Sequence, residues 1–231
     1  FRLSVHHVVP DQAGGFYILY DRSICRVNTN GKVIGNILNI RGGRPLCVCV
    51  KDRELYYGEY HNNLKRLPMS IFKYDGVEDF LVCTFDDVRH IHGVFNDPFS
   101  NHIYVTTGDC LNEAAIWKVD KAEKIPVTIG GQQSRAVQLL FTQESIYFST
   151  DTPLEKNYIY KIDKNTNIKS RLGVISSSVF YGVSLNGKLY FSTVVEPSEF
   201  NSTRSVELWR VQNDIPEIVG LYKKDFWSMR Y

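Results

Sequence analysis

The chain has 231 residues, 43% of them hydrophobic and 13% aromatic, and a formal net charge of +2. That small charge comes without a basic run, which excludes an extended nucleic-acid surface, and no apolar stretch reaches the length of a membrane span. The length suits one large domain or two small ones, and a rich supply of Tyr and Phe favours strands.

Two short patterns alternate along the chain. The first, apolar-Tyr-apolar, occurs at Phe16-Tyr17-Ile18, Leu55-Tyr56-Tyr57, Ile103-Tyr104-Val105, Ile146-Tyr147-Phe148 and Leu189-Tyr190-Phe191. The second follows each time a few residues later, at Ile24-Cys25-Arg26-Val27, Ile71-Phe72-Lys73-Tyr74, Ile116-Trp117-Lys118-Val119, Ile159-Tyr160-Lys161-Ile162 and Leu208-Trp209-Arg210-Val211. The steps are 39, 48, 43 and 43 residues in the first series and 47, 45, 43 and 49 in the second. Repeats of that length built from short strands predict an all-β fold, a β-propeller with five recognisable four-stranded blades. No stretch has helical periodicity.

In chain order, blades one and two carry turns at Asn30-Gly31 and Asp75-Gly76. Blade three reads as strands His92–Phe95, Ile103–Thr107, Ile116–Val119 and Pro126–Ile129, with the turn residues 96–101 between the first two. Blade four reads as Ala136–Phe141, Ile146–Thr150, Tyr158–Ile162 and Arg171–Val174. Blade five reads as Phe180–Leu185, Leu189–Val194, Val206–Val211 and Glu217–Tyr222, with Asn186-Gly187 as a hairpin turn. The innermost strands are expected near Val5, Leu46, Val94, Gln138 and Val183. Residues 1–231 are expected to form a single propeller domain. Its last stretch, 223–231, reads as a strand that either closes onto blade one or opens a further blade of a longer chain.

Five cysteines, an odd number without a C-x-x-C pair, argue against a disulfide framework or a zinc ribbon. A reduced, cytoplasmic setting is the expectation; a leader removed before Phe1 would instead make the protein secreted.

Candidate site residues follow from topology. In a blade with strands a to d, the d-to-a and b-to-c connections lie at one end of the sheet, the usual ligand rim. Arg2, Arg44, Arg89 and Arg135 stand at the starts of a strands, and a guanidinium fork suits a carboxylate, sulfate or phosphate. Glu59, Asp109, Asp151 and Glu196 follow the b strands of blades two to five. Tyr60 and Gln133 lie on the same connections. Two readings stay open: the acids neutralise the arginines in structural ion pairs, or some serve as general acid, base or nucleophile. In Arg89-His90-Ile91-His92-Gly93 the histidines share a strand face, a spacing suited to a proton carrier, a divalent metal, or a satisfied structural pair. No other cofactor is indicated. The Gly pairs at 42–43 and 130–131 are turns, since no helix follows to make a phosphate loop.

The repeats, with Phe1-Arg2-Leu3-Ser4 and Tyr74-Asp75-Gly76-Val77-Glu78-Asp79-Phe80, resemble the sialidase-like, Asp-box (BNR-repeat) propellers, most closely a bacterial branch of that superfamily. The first segment is similar to the family's F-R-[IVL]-P element with Ser in place of Pro, and the second echoes the Asp box without its Ser, Thr and Trp. The resemblance implies that Arg2 belongs to a triad gripping a substrate carboxylate, and that the ligand is an acidic or complex carbohydrate. The function expected is therefore a carbohydrate-active propeller that binds or cleaves an anionic sugar or polysaccharide. In a hydrolase, two of Glu59, Asp109 and Asp151 would act; in a lyase, His90 or His92 would take the proton beside a uronate held by Arg. The rival expectation is a non-catalytic platform for a protein partner.

Overall fold

Alternation of apolar and polar residues over five to seven positions, broken by Gly, Asn and Asp, leaves strands as the only elements these segments can form in quantity. The computed structural model describes residues 4–110 and 112–225. It has twenty strands and one single-turn 3-10 segment, Gln132–Ser134. Blade one comprises β1 (Val5–Pro10), β2 (Phe16–Tyr20), β3 (Ser23–Val27) and β4 (Val33–Asn39). Blade two comprises β5 (Cys49–Lys51), β6 (Glu54–Gly58), β7 (Met69–Tyr74) and β8 (Asp79–Phe85). Blade three comprises β9 (Ile91–Asn96), β10 (Ile103–Thr107), β11 (Ala115–Asp120) and β12 (Glu123–Ile129). Blade four comprises β13 (Ala136–Phe141), β14 (Ser145–Thr150), β15 (Asn157–Asp163) and β16 (Lys169–Ile175). Blade five comprises β17 (Val179–Leu185), β18 (Lys188–Thr193), β19 (Ser205–Gln212) and β20 (Ile215–Lys223).

Each sheet follows chain order, all neighbours antiparallel, which is the blade of a β-propeller. Every third-to-fourth strand ladder slips by a bulge within the second repeat pattern, at Ile71/Phe72, Ile116/Trp117, Ile159/Tyr160 and Leu208/Trp209 and between Ile24 and Arg26 in blade one. A bulge increases local twist, so the repeat carries its own outer-strand twist. The innermost strand of blade two starts later than its apolar run suggests. Leu46 precedes β5, and Cys47 makes a lone parallel bridge to Gly93.

The chain divides into two compact units, residues 1–130 with blades one to three and 131–231 with blades four and five. In the first, Tyr17, Leu19, Leu55, Tyr57, Phe72 and Tyr74 fill the layer between blades one and two. Met69, Ile71, Phe85, Ile91, Val94 and Val105 fill that between blades two and three. In the second, Leu140, Tyr147, Ile159, Val179 and Phe191 are packed together. In blades one and four the repeated Tyr of the second strand does two jobs, its ring joining the core while its hydroxyl reaches the next blade; the Tyr56 hydroxyl instead donates to Glu54 of its own blade. Tyr17 Oη donates to the Arg53 carbonyl at 2.5 Å and Tyr147 Oη to Asp214 Oδ1 at 2.6 Å.

Candidate functional site

β9 pairs with β10 through a bulge: Gly93 faces Thr106 while Ile91 faces Thr107, leaving His92 as the extra residue. The ladder runs one bond further, the Gly108 N–H donating to the His90 carbonyl at 3.1 Å. Both imidazoles are thereby held over the end of β10, where Asp109 follows. His90 Nε2 lies 3.2 Å from Asp109 Oδ1, His92 Nε2 lies 3.0 Å from the same oxygen, and the two nitrogens are 3.0 Å apart. The ring of Tyr60 leans on that of His90, centroids 4.3 Å apart. Gly93 leaves no room for a side chain, since a Cβ there would sit 2.4 Å from the ring of Phe95 on the same strand and 2.9 Å from Cys47 Cβ of blade two. That close approach lets the Val94 N–H donate to the Cys47 carbonyl at 3.3 Å.

The connection carrying Asp109 is pinned by Glu113, a residue the sequence pattern did not single out. Its Oε1 accepts from Arg66 Nη2 at 2.9 Å and from the Cys110 N–H at 3.2 Å. Its Oε2 accepts from Arg66 Nε at 3.1 Å and from the Arg89 N–H at 2.5 Å. Burial pushes this carboxyl up, but the Arg66 bonds, Cys110 and the Arg89 amide outweigh it and hold it below its ordinary 4.5. Glu113 thus ties the b-to-c connections of blades two and three to the residue preceding His90.

A cavity of about 500 Å³ opens beside this cluster, lined by Arg22, Gly43, Arg44, Tyr60, His61, Asn62, Arg89 and His90. Every one of these residues lies on a b-to-c or d-to-a connection, as the rim argument requires of a ligand face. The guanidiniums of Arg22 and Arg44 are exposed and make no ion pair or hydrogen bond among the described residues. Arg89 Nη1 stands 3.4 Å from Asp109 Oδ2, and its buried Nε has no hydrogen-bond partner among the described residues.

The other expected site residues that the structure describes are not among those lining this cavity. Glu59 does not line the cavity, and its Oε2 accepts from the Ser70 N–H at 2.7 Å. In the second unit, Arg135 Nη2 pairs with Asp151 Oδ2 at 3.0 Å, and the Asp151 N–H donates to the Arg135 carbonyl at 3.0 Å. Gln133 is engaged at both ends, donating to Glu155 Oε2 at 2.6 Å and accepting from Tyr160 Oη at 2.9 Å. Glu196 follows β18 on a half-buried turn of the same unit. Arg2 lies outside the described residues. All five cysteines are free thiols.

No family model matches the chain, and no curated protein does. Solved structures do. The extracellular domain of a protein described as a hybrid two-component system of Bacteroides thetaiotaomicron aligns over 97% of the chain at 14% identity with a TM-score of 0.63. A quinonprotein alcohol dehydrogenase-like protein of the same species aligns over 95% at 11% identity (TM-score 0.62), and a puromycin hydrolase over 97% at 10% identity (TM-score 0.63). The chain spans only 28%, 55% and 38% of those proteins, respectively. At such identities the likeness establishes the propeller fold, whose members here carry unrelated roles.

Proposed function

We propose that the first unit is a binding module for an anionic sugar, its carboxylate held by arginines at the mouth of the blade-two and blade-three connections. The observation that carries the reading is the cavity wall itself. Arg22, Arg44 and Arg89 edge one recess, and the first two keep their forks uncommitted to any carboxylate of the described chain. Its volume of about 500 Å³ falls in the range of ordinary ligand sites. Tyr60 offers an aromatic face for a pyranose ring, and Asn62 a hydrogen-bonding amide. The likeness of Phe1–Ser4 to the Asp-box propellers' arginine element points the same way.

Among chemistries, the first unit suits binding or proton abstraction better than two-carboxylate hydrolysis. Glycoside hydrolysis needs two carboxyl groups flanking the bond, whereas Asp109 stands with two imidazoles and Glu59 spends an oxygen on the Ser70 amide. One observation favours a protein platform instead. The pairs Arg66–Glu113 and Arg135–Asp151 consume charge in purely internal contacts.

The test is binding of galacturonate and glucuronate oligosaccharides against their neutral counterparts. The acidic series should bind, the neutral series should not, and Arg44→Ala should weaken binding at least tenfold without lowering the melting temperature. Equal binding of both series, or none to either, defeats the reading, and the second result turns attention to protein partners.

A further inference from the structure

From the geometry of the three converging side chains we infer a divalent transition-metal site formed by His90, His92 and Asp109. It goes beyond the sugar reading and does not depend on it. The ligand atoms, His90 Nε2, His92 Nε2 and Asp109 Oδ1, form a nearly equilateral triangle with edges of 3.0, 3.2 and 3.0 Å. Hydrogen bonds alone account poorly for that figure. Two N–H donors on one carboxylate oxygen would subtend about 60° there, whereas the lone-pair directions of an sp² oxygen lie about 120° apart. With one hydrogen or one lone pair at each nitrogen, at most two of the three contacts can be hydrogen bonds.

A cation resolves the conflict by drawing three lone pairs inward. An ion about 2.1 Å from each atom, the usual metal–imidazole and metal–carboxylate length, would sit about 1 Å out of the triangle's plane with angles of about 90 to 100° between ligands. Those are the angles of one face of an octahedron, narrower than a tetrahedral site requires. Two imidazoles and one carboxylate favour manganese, iron, cobalt, nickel or zinc over calcium or magnesium.

The surroundings agree. The second carboxylate oxygen faces Arg89 Nη1 at 3.4 Å, which orients Asp109 as a ligand through Oδ1 alone. Both histidines are buried, His92 only 2% exposed, so the ligand atoms are shielded from competing bulk water. His90 is also part of the cavity wall, which places the ion at the edge of the recess lined by Arg22, Arg44 and Arg89. A site with three protein ligands keeps positions free for water or for an oxygen of a bound molecule, the pattern of a working rather than a closed structural metal.

The experiment uses untagged protein dialysed against chelator and titrated with cobalt(II), zinc(II) and magnesium(II) by calorimetry. Cobalt and zinc should each bind at one equivalent per chain with a Kd at or below the micromolar range, and magnesium should bind at least a hundredfold more weakly. His92→Ala and Asp109→Asn should each lower zinc affinity at least tenfold. Should either variant fail to fold, imidazole NMR of the wild-type chain decides. Cobalt must broaden the His90 and His92 ring signals while sparing His102, which lies at the other end of blade three. Less than a tenth of an equivalent bound, unchanged affinity in both variants, or broadening that misses His90 and His92 would overturn the site. Sugar binding is read separately, so either proposal fails alone.

Discussion

Replacing Glu113 by Gln tests whether the rim connections are held by one buried carboxylate. The side chain is 5% exposed and accepts two bonds on each oxygen, so either orientation of the new amide sets its NH₂ against two donors. Two hydrogen bonds to a charged group at about 1.5 to 3 kcal/mol each give a loss of about 3 to 6 kcal/mol. For a chain of this size that is a fall in melting temperature of about 6 to 24 °C, readable by circular dichroism. The pH dependence adds a second check. The folded carboxyl titrates below its ordinary 4.5, so its contribution is complete above that value and is lost as pH falls through the lower, folded one. The gap between wild type and Glu113→Gln should therefore be constant from pH 7 to 5 and shrink below about pH 4. Other carboxyls held low, such as Asp11 and Asp79, are common to both proteins and cancel in the difference. A variant melting within about 2 °C of wild type, or a gap that stays constant down to pH 3, would refute the argument.

Gly93→Ala should cost about 1 to 3 kcal/mol in urea unfolding, because its methyl meets the Phe95 ring and Cys47 where blades two and three touch; unchanged stability would mean that this approach is not tight. Native protein should expose one fast thiol to a disulfide reagent and five after denaturation. Cys110 is exposed, whereas burial pushes the Cys47 thiol up to about 12 and that of Cys83 up to about 11. Two or more fast thiols in the native state would contradict the placement of the other four, two of them buried and two half-buried.

The blades were legible because alternation and aromatic residues at fixed places encode a strand's buried face directly, and Tyr17, Tyr57 and Phe191 are fully buried where the pattern puts them. The Asn186-Gly187 hairpin was equally plain, both residues having positive φ. Turns such as Asp52-Arg53 and Lys121-Ala122 adopt the same left-handed pairing without Gly, so composition hid them. The site was read only in part, and register is the reason. Arg135 pairs with Asp151 as His90 pairs with Gly108, so the spacing of 45 and 46 residues matched Arg135 to Arg89 whereas its register in the blade is that of His90. One residue reverses a side chain's face, and the bulge at His92 cannot be counted from sequence. Glu59 misled because a b-to-c acid can cap its own turn. Glu113 escaped because its partner Arg66 lies in the preceding repeat.

In blades two, three and five the two ends of the sheet obey different rules of length. At one end the connections are short, including the two-residue turns at 52–53, 121–122, 186–187 and 213–214 between paired strands. At the other they stretch to 59–68, 108–114 and 194–204. Tight turns fix register and tolerate no insertion, so an added or lost residue there would propagate through the whole ladder. One of these long connections, 59–68, carries Tyr60, His61 and Asn62 of the cavity's lining. A lineage built on this plan can lengthen, shorten or exchange such connections to suit a new ligand while the twenty strands stay as they are, which makes recognition in this chain a separable layer of heredity from folding.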